Sequence, residues 1–124
     1  MKPYSSMAVM AILCGLSLAT VAGGNAARGQ MLYQNMCMAC HSIDYNGVGP
    51  AHKGLLGRKA GSAANYDYSP ALRAASMVWT ATTLDRWLAD PEKLIPGQKM
   101  GFSVASAQDR ADLISYLSIA TGAK

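Results

Sequence analysis

The 124 residues carry 11 Lys and Arg against 7 Asp and Glu, a formal charge of +4, and 51% of them are hydrophobic. That length supports one domain plus a leader. The charge excludes a nucleic-acid interface, because no run of Lys and Arg exceeds the pair Arg58-Lys59 and electrostatic nucleic-acid footprints are clustered.

Lys2 is the first charge, and Pro3 through Ala27 carries none, around an apolar centre from Met7 to about Val21. A short basic start, an apolar stretch and then small residues from Ala22 to Ala27 form the layout of a secretory signal peptide. The chain therefore divides into a leader over residues 1–26, cleaved near 22–26, and a domain over residues 27–124. The alternative is an uncleaved anchor, although Ser5, Ser6, Ser17, Thr20 and two glycines dilute it below a spanning helix of about 20 mainly apolar residues. The expected location is the periplasm, free or, if the leader stays, tethered to the membrane. Cys14 follows the bulky Ile12 and Leu13, unlike a lipid-attachment cysteine, and reads as a buried leader residue.

Beyond the leader there is one Phe and little Ile or Val, and domains short of core rely on disulfides, metals or a cofactor. From Ala27 to about Met38, Gly29, Tyr33 and Met36-Cys37 recur at the spacing of one helical face, so the cysteine pair ends a helix. From Ser42 to Tyr68, Pro50 and Gly47, Gly49, Gly54, Gly57 and Gly61 break any period; a loop that long is functional or wrapped around something. Ser69 before Pro70 starts a short helix to about Ala75. Thr82 or Thr83 opens the next, with Leu84, Trp87 and Leu88 on one face and Pro91 as its bound. Ile95-Pro96-Gly97 leads to Met100. Ser106 and Asp109 make a capping-box-like start for a terminal helix striped by Leu113, Leu117 and Ala120, with Tyr116 beside them. The class is all-α.

Cys37-Met38-Ala39-Cys40-His41 is the C-x-x-C-H haem attachment sequence. Two thiols at this spacing add to two neighbouring haem vinyl groups while the adjoining imidazole is placed over the iron. The expected cofactor is one covalently attached haem c with its iron. A thioredoxin-like pair would stand near a βαβ pattern, which is missing here. A zinc site wants four ligands, and only His52 remains as a further histidine. A disulfide across so small a loop is a poor staple.

His41 leaves a sixth iron position, for which Met31, Met36, Met38, Met77, Met100 and His52 are candidates; any single Met is by default core filler. Met31, Met36 and Met38 lie too close to His41 to loop round to the opposite face. Met77 is on or just after a short helix, and Met100 sits in a stiff loop far enough along to reach over.

From about Gly29 to the C-terminus the chain resembles class I cytochrome c of the mitochondrial and alphaproteobacterial kind. The matching residues are Gly29, Tyr33, Cys37 to His41, Gly49-Pro50, Gly54 to Gly61, Tyr66 to Ser69, Trp79, Pro91, Ile95 to Met100 and Asp112 to Leu117. The resemblance implies several helices and long loops wrapped around one covalent haem, and it selects Met100 as the sixth ligand. It gives the Pro50 carbonyl the hydrogen bond from the free nitrogen of His41. Arg58, Tyr68 and Trp79 would hold the haem propionates, whose charges need donors when buried, while Gly29 and Tyr33 let the first and last helices cross closely. A thioether opposite imidazole fills both axial positions and raises the reduction potential. The implied function is thus a monomeric one-electron carrier cycling between Fe(III) and Fe(II), not an enzyme. By family analogy its partners are a quinol-oxidising complex, a terminal oxidase or a periplasmic dehydrogenase.

Several positions depart from the family. His52 and Lys53 stand where an apolar residue and then His are usual, and a surface position is expected for His52. Trp87 replaces a Tyr beside the methionine, Gln98 a Thr that bonds a propionate, and Leu72 falls near an Asn of the propionate-water network. Met36 and Glu92 occupy frequent Lys positions, leaving Lys93 and Lys99, so partner specificity differs from the mitochondrial type.

Overall fold

A computed structural model describes residues 23–122; the expected leader core, with Cys14, lies outside the described residues. Helix α1 (Ala26–Met36) starts where Asn25 accepts a hydrogen bond from the Arg28 N–H at 3.0 Å, the side-chain cap that relieves an orphan donor of a first turn. Gly24 packs so closely on the last helix that a Cβ would collide with the Ala111 carbonyl. Gly24 and Asn25 thus pack with the helices.

Helix α1 ends at Met36, and the Cys37 N–H still donates to the Tyr33 carbonyl at 2.9 Å, so the cysteine pair lies in the turn that follows. Residues 37–69 then run without helix, and their only ladder contact among the described residues is an isolated antiparallel bridge from Lys59 to Val78. Gly61 turns this loop at a positive φ of 70°, and a Cβ there would strike the Leu72 carbonyl; only glycine takes both demands without strain.

Helix α2 (Pro70–Ala74) has the expected Ser69 cap and Pro start. Helix α3 (Ala81–Ala89) begins slightly earlier than Thr82 or Thr83, because Thr80 and Thr83 cap each other reciprocally. Pro91, read as a bound, in fact opens the short helix α4 (Pro91–Leu94) behind an Asp90 cap; a proline at the first helical position lacks only an N–H that would be orphaned anyway. Helix α5 (Ala107–Ala120) starts at Ser106 as expected. Asp109 does not close a capping box, however: its carboxylate pairs with Arg28 of α1 at 2.6 Å.

Helix α5 packs against both α1 and α3. Gly29 makes the first crossing possible, since a Cβ would collide with the Asp112 carbonyl. Asp112, 1% exposed, is held there by the Asn25 N–H at 2.7 Å, the Gln108 amide at 2.9 Å and the Arg28 guanidinium. These bonds, the Asn25 N–H first, hold its carboxyl below the usual carboxylate range, as hydrogen bonding to the charged form must. Leu113 and Val104 are almost wholly buried, each contributing about 1.5–3 kcal/mol. Tyr33, Leu55, Trp79, Leu84, Trp87, Leu113 and Leu117 belong to the core yet also line one cavity, so the core is built around a hollow.

Candidate cofactor site

The cavity has a volume of about 540 Å³, within the range of small-molecule and cofactor pockets. Its walls bring together all eight residues expected at a haem: Cys37, Cys40, His41, Pro50, Arg58, Tyr68, Trp79 and Met100. Of the other sixth-position candidates, Met36 and His52 reach the cavity, whereas Met31, Met38 and Met77 are not on its walls.

The turn after α1 builds one wall. Hydrogen bonds from the Cys40 and His41 N–H groups to the Cys37 carbonyl, at 3.1 and 2.9 Å, bring both thiols and the imidazole to one side. The thiols are free. Burial, then the neighbouring Cys40, pushes the Cys37 thiol up to about 11. His41 Nδ1 lies 2.9 Å from the Pro50 carbonyl, the contact expected from the sequence. That bond fixes the tautomer and leaves Nε2 as the free electron pair. Burial lowers the imidazole's affinity for protons, opposed by the Pro50 bond. Gly49 is pressed so closely to the ring that a Cβ would overlap it.

His52 is a correction. It is half-buried and faces inward: its ring stacks on His41 with centroids 4.2 Å apart and planes 22° from parallel. Its Nδ1 lies 2.9 Å from the Tyr33 hydroxyl. Burial first, then His41 and Arg58, lowers its pKa to about 3, so the ring is neutral near pH 7. No spacing rule marks this placement; it arises because the loop after Pro50 folds back on α1.

Arg58 gives its two terminal nitrogens to the carbonyls of Lys53 and Ala51 at 2.9 and 3.0 Å, while its buried Nε has no partner among the described residues. A donor left bare beside a cavity fits an anionic group there, since burial without a bond is costly. Tyr68 accepts from the Ala63 N–H at 2.9 Å, leaving its own O–H available as a donor. Trp79 and Trp87, buried together on the cavity wall, meet edge to face at 5.4 Å. Gln98 is not at the wall: its amide nitrogen donates to Glu92 at 3.1 Å and its buried Oε1 is unpartnered, so its committed donor takes no part there.

Two thiols, an imidazole and a thioether on the lining of one cavity, with a buried bare donor beside it, fit a covalent haem with carboxylate substituents. These features define a c-type haem protein. The family model described as Cytochrome c matches residues 26–120. The chain is 41% identical over 105 residues to a cytochrome c of Gibberella zeae, covering 82% of this chain and 99% of that one. It is 48% identical over 88 residues to the cytochrome c2 iso-1 of Magnetospirillum molischianum, covering 67% and 88%. Among solved structures it resembles cytochrome cH from Methylobacterium extorquens, at a TM-score of 0.73 and 42% identity over 77% of this chain and 98% of that one. The chain belongs to the cytochrome c family, in its class I fold. As such it carries covalent haem c and is an electron carrier that works with redox partners, not an enzyme.

Proposed function

We propose that this cytochrome is an exported one-electron carrier of a respiratory or periplasmic chain, its haem iron held between His41 and Met100. The observation that supports the reading is that Met100 lines the same cavity as His41 from a loop 59 residues further along the chain, whereas Met36 adjoins Cys37 and His52 stacks on His41. Bound haem supplies a single electron, taken up or given back at the iron. The chain's own residues do the rest. Cys37 and Cys40 fix the porphyrin, the Pro50 carbonyl orients His41, and Arg58, Tyr68 and Trp79 meet the propionates. The apolar core residues exclude water, so little reorganises on electron transfer.

Val48, 76% exposed, and Phe102, 42% exposed, flank the cavity mouth beside Lys99. They suit docking of a redox protein such as a quinol-oxidising complex, a terminal oxidase or a periplasmic dehydrogenase, with a monomer as the carrier. Among the described residues no helix is long and apolar enough to cross a membrane. In this reading the leader is cut at Ala22, because a cut after Ala26 would remove Gly24 and the Asn25 cap from the fold.

A visible spectrum with redox titration of the purified mature protein tests this. A reversible one-electron transition, a ferric methionine–iron charge-transfer band and no carbon monoxide binding at neutral pH are expected. Ready carbon monoxide binding by the native protein would overturn the closed-site carrier.

A further inference from the structure

The Tyr33–His52 pair is built as a backing for the imidazole of His41. Three contacts box that ring. Its Nδ1 is tied to the Pro50 carbonyl at 2.9 Å, Gly49 is pressed against it, and the His52 ring covers a face at 4.2 Å. His52 is itself held on two sides. Its backbone N–H donates to the Ser42 carbonyl at 2.9 Å, and the Lys53 N–H donates to the Ile43 carbonyl at 2.8 Å. Its ring is anchored at Nδ1 by the Tyr33 hydroxyl at 2.9 Å. Tyr33, 2% exposed, is wedged in turn against Tyr116 with centroids 5.4 Å apart. A chain of contacts therefore runs from the α1–α5 crossing to the face of His41.

The Pro50 bond fixes which nitrogen of His41 is free but leaves the ring a range of tilts about that bond. A flat ring stacked 22° from parallel removes most of that range, because rotating His41 would drive its edge into His52. A branched aliphatic side chain at residue 52 would fill the volume without imposing a plane. The Tyr33 hydroxyl has no other partner among the described residues, and a buried hydroxyl left unpaired is costly. Tyr33 and His52 are thus coupled: each satisfies a polar group the other would strand.

We propose that His52 is a positioning residue for the axial imidazole: stacked on His41 and held by Tyr33, it sets the plane in which His41 presents its free nitrogen to the iron, and thereby tunes the reduction potential. The proposal rests on the reading of His41 as an iron ligand. A ring that backs a ligand changes iron–imidazole orbital overlap without touching the metal, one of the ways a protein tunes a metal centre through the groups that contact its ligands.

The test uses the native holoprotein and His52→Leu, His52→Phe and Tyr33→Phe variants. The readouts are the paramagnetically shifted haem-methyl proton resonances of the ferric form, whose order reports the imidazole plane, and a redox titration. His52→Leu is expected to change the order of the methyl resonances and shift the potential. His52→Phe, which keeps a flat ring but loses the bond to Tyr33, is expected to shift the resonances less than His52→Leu does. Tyr33→Phe should move the resonances in the same direction as His52→Leu but less. A folded His52→Leu protein with native methyl order and potential overturns the proposal, as does a Tyr33→Phe protein with both unchanged should His52→Leu not fold. A native ferric protein with no imidazole nitrogen hyperfine coupling overturns the ligand reading instead, so the two failures are distinguishable.

Discussion

The His41 wall and the Met100 wall of the cavity are built by different means. On the His41 side nearly every segment is tied locally: Cys37 to Tyr33, His41 to Cys37, Gly49 to Cys40, His52 to Ser42 and Lys53 to Ile43, all by backbone hydrogen bonds of 2.8–2.9 Å. On the Met100 side the Gln98 N–H reaches the Ile95 carbonyl at 3.2 Å, and the next backbone bond is from Val104 to the Leu88 carbonyl at 2.7 Å. Among the described residues, positions 99–103 donate no backbone hydrogen bond to another carbonyl. The loop is pinned at its ends, by the apolar packing of Met100 against the core, and by Lys99, whose Nζ donates to the Asp67 carbonyl at 3.1 Å. One wall is pre-formed by its own chain, and the other depends on what fills the cavity. In the proposed His41–Met100 site the thioether should therefore dissociate first, since regions with few internal hydrogen bonds open at the lowest cost.

The largest way to break this asymmetry is to remove the covalent tie on the rigid side. Replacing both Cys37 and Cys40 with Ala should abolish haem retention through denaturation and leave a poorly folded chain, because the core surrounds the cavity. Haem staining that survives on a denaturing gel would contradict the attachment.

A smaller effect comes from the α1–α5 crossing that anchors the His41 wall. Asp112→Asn keeps the shape but loses the charge that faces Arg28 and the Asn25 N–H, and the melting temperature should fall by several degrees at pH 7. The carboxyl's folded pKa is depressed, so its contribution is present above the unfolded carboxylate range near about 4 and is lost as pH falls through the folded value. The gap in melting temperature between native and variant proteins should therefore close below about pH 4; a gap independent of pH would show that packing, not charge, holds the crossing.

The smallest effect belongs to the other wall's tether. Lys99 is 55% exposed and 3.7 Å from an Asp67 oxygen, and such pairs are worth about 0.2–1 kcal/mol. Lys99→Ala should lower the global melting temperature by no more than about 5 °C, measured by calorimetry, while easing displacement of methionine by added imidazole.

The same contrast governs what could be read in advance. Cys37 to His41 were legible because their chemistry is local, five consecutive residues, whereas the Pro50 contact, across nine positions, came from the family resemblance. Ser69, Ser106 and the α5 stripe were legible for the same reason. Met100 could not be separated from Met77 by spacing alone, since its position depends on a loop crossing the whole molecule, and the family resemblance supplied the choice. The fold-back that carries His52 onto His41 and Tyr33 is likewise non-local. Helix α4 was missed because Pro91 serves equally to end one helix and to begin another.

The central claim is that Met100 faces the iron across from His41, and proton resonance of the reduced, diamagnetic protein tests it most directly. One methionine methyl should be displaced far upfield by the porphyrin ring current, absent in Met100→Ala and unchanged in Met77→Ala. A displaced methyl that persists in Met100→Ala and vanishes in Met77→Ala would contradict the account.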